Sequence, residues 1–129
     1  MTLYSVIFHV NEVDRCPVAL GNLSNLLKDV GQESIIAEVI VNGPAVVFFS
    51  SADQAREKFP SFWSEEYYQK LVQDMKDLHE MGVCFTVCSN ALSTNGLNND
   101  QVYPFVTLVP AGITEIVKKQ SEGYGYVKP

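Results

Sequence analysis

The chain has 129 residues, a length for one domain spanning 1–129 that buries roughly two-thirds of its unfolded surface and needs no staples. Apolar residues make up 47% and charged residues 19%, a balance that excludes intrinsic disorder. The formal net charge of -6 offers no basic face for a phosphate backbone, so no nucleic-acid partner is expected.

The apolar run Leu3 to Phe8 predicts a strand of a parallel sheet covered on both faces. His9 to Arg15 reads as a polar loop, and Cys16-Pro17 opens a helix, since proline suits the first helical turn. Leu20, Leu23, Leu26, Leu27 and Val30 form its apolar stripe, and Gly31 ends it. Ser34 to Val41 is the second strand, broken by Asn42-Gly43-Pro44. Ala45 to Phe49 has the composition of a strand, yet a proline followed by apolar residues also starts buried helices; both remain open. Ser51 to Pro60 is polar, a loop or frayed helix.

A helix follows from about Ser64 to Met81, with Ser64 as N-cap and Glu65 and Glu66 near its positive end. Tyr68, Leu71, Val72, Met75 and Leu78 make its inner face, and His79 falls on the polar side. Gly82 turns the chain into a third strand that ends at Cys88. Ser89 to Leu92 suits a short helix, and Ser93 to Gln101 an exposed loop. Pro104 to Val109 is the fourth strand, Ile113 to Ser121 a helix, and Tyr124 to Val127 a short last strand. Strands alternating with helices give a mostly parallel sheet with helices on both faces, an α/β fold.

Met1 to Val6 has no basic segment, so no signal peptide is expected, and no apolar run reaches the ~18 residues that span a bilayer. The three cysteines, Cys16, Cys84 and Cys88, are an odd, irregularly spaced set and not a secreted disulfide framework. The expected address is the cytoplasm, where thiols stay reduced. Two histidines and three cysteines show no zinc-type spacing, and no glycine-rich dinucleotide or phosphate loop occurs; no metal and no cofactor are expected.

Cys88 carries the chemistry in this reading. A thiol delivered by a buried strand to a strand-to-helix turn meets free N–H groups that favour the reactive thiolate. The plain alternative is a small buried hydrophobe. His9 and Asn11 close the first strand and belong to the same rim, His9 as base or thiolate partner, or else as a structural histidine. Asn90 either meets a ligand or holds the turn. Cys16 is either a resolving thiol or an incidental residue of the helix start. Cys84 reads as core filler, and its Cα lies roughly 13 Å from that of Cys88 at normal strand rise, too far for a disulfide.

Several segments resemble the DsrE/DsrF-like family of small α/β proteins, which includes sulfur-relay subunits. They are Val6-Ile7-Phe8-His9-Val10-Asn11-Glu12, Ala19 to Asp29, Val41-Asn42-Gly43-Pro44-Ala45-Val46, Gly82 to Leu92, and Val109 to Tyr124. The resemblance runs nearly end to end. It implies a three-layer α/β/α sandwich on a five-stranded parallel sheet, and a homo-oligomer, trimer or hexamer. In relay members a strand-end cysteine carries persulfide sulfur, and Cys88 is the matching position. Those members place arginines after it, whereas Ser89 to Leu97 holds no basic residue. The leading expectation is a sulfurtransferase-like persulfide carrier serving a sulfur-donor or acceptor protein. The alternatives are a non-catalytic module that binds a small ligand or protein, and a thiol redox sensor pairing Cys16 with Cys88.

Overall fold

The computed structural model describes residues 2–129; Met1, which opens the expected leaderless start, lies outside them. Five strands, β1 (Tyr4–Val10), β2 (Ile35–Val41), β3 (Cys84–Cys88), β4 (Val106–Val109) and β5 (Gly125–Val127), form one sheet in the order β4-β3-β2-β1-β5, and every pairing is parallel. Four α-helices connect them: α1 (Cys16–Val30), α2 (Glu65–Glu80), α3 (Ser89–Thr94) and α4 (Gly112–Ser121). Among the described residues no helix is long and apolar enough to cross a membrane.

The strand order explains where the helices lie. β1, β2, β3 and β4 follow one another across the sheet in one direction. Right-handed crossovers therefore place their connecting helices on one face. The connection from β4 to β5 runs back across the sheet, and the same handedness puts α4 on the opposite face. Packing agrees: Leu23 and Leu27 of α1, Tyr68 and Met75 of α2 and Leu92 of α3 share one core with Val39, Val41, Phe85 and Val87. Ile116 of α4 meets Ile7 and Ile40 in a separate small cluster.

Local signals set most boundaries. Pro17 stands in the first turn of α1, and Gly31 after it takes φ +85°, a conformation that glycine adopts without strain. Ser64 caps α2, its Oγ accepting the Tyr67 N–H at 3.0 Å. Ser64→Ala is expected to lower stability by about 1 kcal/mol, read as an earlier urea midpoint at constant slope. An unmoved midpoint would show that the cap contributes nothing.

Two expectations shift, and two open segments resolve as helix. β1 continues past Phe8 through His9 and Val10, because the register with β2 extends to His9↔Ile40 and Val10↔Val41. The fourth strand starts at Val106 rather than Pro104: Pro104 has no N–H to donate, and the chain still turns there, Val106 N–H bonding the Tyr103 carbonyl at 3.0 Å. The segment after Asn42, left open between strand and buried helix, is a buried helix of the 3-10 type, Gly43–Phe49. A second 3-10 helix, Asp53–Lys58, gives the helical form of the segment read as loop or frayed helix.

Candidate functional site

Cys88 ends β3 and caps α3. Its Sγ accepts the Ala91 N–H at 3.4 Å, and its S–H points to the Pro110 carbonyl at 3.8 Å. The residue is 7% exposed. It sits where the chain's direction changes: the connection leaving β3 stays on the α1–α2 face, and the one leaving β4 goes to the other. Such a switch in an open α/β sheet opens a crevice beyond the strand ends. Here the crevice is a cavity of about 310 Å³ lined by Ser89, Asn90, Asn99, Leu108, Val109 and Pro110. Its walls are tied together by Asn90 N–H to the Pro110 carbonyl (3.2 Å) and Ser89 Oγ–H to Asn99 Oδ1 (2.7 Å).

The turn Pro110-Ala111-Gly112 covers the sulfur. Gly112 is the first residue of α4 and lies against two of the rim's side chains. A Cβ added there would stand 3.2 Å from Asn42 Cβ and 3.5 Å from Cys88 Cβ. The contact with Cys88 would be an ordinary van der Waals one, while Asn42 would have to give by a few tenths of an ångström, so the tight fit at the start of α4 is against Asn42. Asn42 leads along the rim to His9: Asn42 Oδ1 accepts from His9 Nε2 at 2.9 Å, and Tyr126 O–H donates to His9 Nδ1 at 2.6 Å. The neutral Nε2–H tautomer satisfies both bonds.

The expected residues thus separate into groups. Asn90 lines the cavity two residues on from Cys88, which is itself not among the lining residues. His9 lies on the same rim but is engaged by Asn42 and Tyr126. Asn11 turns to the far end, where its Oδ1 accepts from Lys128 Nζ at 3.2 Å. Cys16 is buried within the α1–α2 core at 2% exposure, its S–H directed at the Glu12 carbonyl, 3.8 Å away. Burial, then the Asp14 charge, push the Cys16 thiol well above its ordinary range, so it stays protonated. Cys84 is half-buried between two hydroxyls, its Sγ 3.4 Å from Thr86 Oγ1 and 4.0 Å from Thr107 Oγ1. All three cysteines are free thiols.

Sequence reasoning missed Gly112, the Asn42 side chain and Tyr126, which only the fold brings to the rim. It also missed Glu38, a carboxyl 5% exposed in the middle of β2. A lone acid inside Ile-Ile-Ala-Glu-Val-Ile-Val was the available signal, because a buried charge needs partners.

The sequence pattern of the DsrE/DsrF-like family matches residues 22–129. Among solved structures the chain is similar to MTH1491 from Methanobacterium thermoautotrophicum, a protein of unknown function, with 30% identity and a TM-score of 0.77 over 98% of this chain and 99% of that one. It also shares its fold with the ychN protein from E. coli, at 10% identity and a TM-score of 0.63 over 100% of both chains. Comparison with curated proteins yields no match.

Proposed function

The chain belongs to the DsrE/DsrF-like family, and from that premise we propose that it is a sulfurtransferase-like carrier that holds sulfane sulfur on Cys88. One observation carries the reading: Cys88 Sγ accepts the Ala91 N–H at 3.4 Å at the switch point of the sheet, beside the cavity lined by Asn90. The thiolate is the form of cysteine that attacks sulfur. The Cys88 thiolate attacks the outer sulfur of a donor persulfide; one S–S bond forms, one breaks, and the donor leaves as its thiolate. Discharge is the same step with an acceptor thiolate attacking the outer sulfur on Cys88. No net oxidant or reductant is consumed in either direction. A reducing compartment, the cytoplasm, suits a thiol of this kind.

Assembly into a homo-oligomer, trimer or hexamer, belongs to the same proposal. Its support is the apolar surface left uncovered on α4, where Ile113 is 61% and Val117 57% exposed.

The test is mass spectrometry of the protein after incubation with glutathione persulfide. One added sulfur on the peptide containing Cys88 is expected. A peptide of unchanged mass, with the donor demonstrably active on a free thiol, ends the proposal.

The cover over Cys88 favours a second reading, a module that binds a small ligand or protein in the cavity with no sulfur transfer. A Cys88→Ala protein that retained full ligand affinity would favour that reading.

A further inference from the structure

We propose that α4 is a pH-operated cover: when the Glu38 carboxyl beneath it ionises, α4 loosens from the sheet and its first turn releases the Cys88 sulfur. The second half of this proposal rests on the reading of Cys88 as the working thiol.

Among the described residues α4 is the only helix on its face, and within one protomer little buried apolar surface holds it to the sheet. Its buried apolar footing is the cluster of Ile7, Ile40 and Ile116, with Tyr124 alongside. Elements with few buried apolar contacts open at low cost. Next to that footing stands Glu38. The Thr86 hydroxyl of β3 donates to its Oε2 at 2.5 Å, and Cys84 of β3 adjoins Thr86. From α4, Lys119 Nζ lies 3.9 Å from Oε1, and the Glu115 carboxyl adds to the upward push on Glu38. The β1 residue paired with Glu38 is Ile7, which carries no charge. Tyr124 and Glu122, just beyond α4, act on Lys119, whose ammonium lies 5.1 Å over the Tyr124 ring.

Protonated Glu38 is a neutral group that tolerates burial beneath α4. Ionised Glu38 sets two carboxylates against each other around one lysine, in a site largely closed to water. Burial and then Glu115 push the Glu38 carboxyl up to about 7, against the opposing pull of Thr86 and Lys119. The sign follows from linkage. Released into water, Glu38 would titrate near the ordinary glutamate value of about 4.3. Docking of α4 is therefore strongest below that value, weakens as pH rises towards about 7, and is constant above.

The mechanical link to the thiol is Gly112. It opens α4, and the position of its missing side chain is flanked by Cys88 and Asn42. The preceding Pro110 carbonyl lies 3.8 Å from the sulfur. Any tilt of α4 away from the sheet moves this turn.

The test is hydrogen exchange of the full chain, with α4 amide rates normalised to intrinsic rates. Protection of α4 is expected to fall at least about tenfold between roughly pH 5 and roughly pH 7.5 in the wild type, and to stay flat in Glu38→Gln. Glu115→Gln, at a partly exposed position, is the second variant should Glu38→Gln fold poorly. Removing the opposed carboxylate shrinks the fall. Constant protection in the wild type, or an equal fall in Glu38→Gln or Glu115→Gln, overturns the switch. Alkylation of Cys88, corrected for its thiolate fraction, is expected to rise in step with α4 exchange; alkylation that ignores the opening overturns the release of the sulfur. Persulfide loading is read separately: its failure alongside a normal α4 response would strike the role of Cys88 and leave the moving helix standing.

Discussion

Cys88→Ser is expected to remove sulfur loading completely while leaving the fold in place. The separation is possible because residue 88 has two jobs that different atoms can do. As the cap of α3, it offers Sγ to the Ala91 N–H at 3.4 Å. Serine is among the best N-caps, so its oxygen serves that bond. As a sulfur carrier it must form an S–S bond, which a hydroxyl does not form under these conditions. Cys88→Ala, by contrast, loses both functions and is expected to cost about 1 kcal/mol through the missing cap. Cys16→Ser and Cys84→Ser should load normally, because neither thiol lies at the Cys88 turn. Intact-mass measurement of all four proteins after incubation with glutathione persulfide, beside urea melts, checks the set. Full loading of Cys88→Ser would move the chemistry to another cysteine.

Phe48→Ala is expected to cost about 3–5 kcal/mol of stability. The ring is fully buried in an aromatic group, with centroids 5.3 Å from Phe49, 5.4 Å from Tyr68, 5.9 Å from Trp63 and 6.2 Å from Phe59. Its contacts with Phe49, Trp63 and Tyr68 are edge-on, the geometry in which aromatic pairs attract beyond simple burial. The Phe48 carbonyl also accepts the Tyr68 O–H at 2.6 Å, and Tyr68 continues to the Tyr103 hydroxyl at 2.8 Å. Alanine keeps that carbonyl, so the loss is chiefly the ring and the cavity it leaves. A domain's whole stability is about 5–15 kcal/mol, and the variant therefore sits near the limit of folding. Urea denaturation should show the midpoint falling steeply at similar slope. A change under about 1 kcal/mol would mean that the segment Gly43–Phe49 is not the packed unit described.

The sequence exposed the elements whose signals are local. Ser64 caps α2 because a hydroxyl beside the first turn needs no distant partner. Gly31 and Gly82 mark turns because their backbones adopt positive φ. Cys88 was identifiable at the strand end because an apolar run followed by small polar residues changes periodicity there. Its partners were not. His9 and Tyr126 are far apart in the chain, as are Cys88 and Gly112, and nothing near either residue announces the other. The segment after Pro44 was ambiguous for a related reason: Val46, Val47, Phe48 and Phe49 satisfy a buried strand and a buried helix equally, and burial on every side removed the alternation that would have distinguished them.

By itself, then, the amino-acid order determined the alternation of strands and helices, their caps, and the thiol carried to the end of β3. These follow from propensity and from polar–apolar periodicity, which act over a few residues. The tertiary structure alone decided the strand order β4-β3-β2-β1-β5, and with it the isolation of α4 on one face, the burial of Glu38 beneath it and the closeness of Gly112 to Cys88. Those are outcomes of crossover handedness and close packing between segments remote in the chain, where burial is shared among many side chains and no single one encodes the neighbour it will meet.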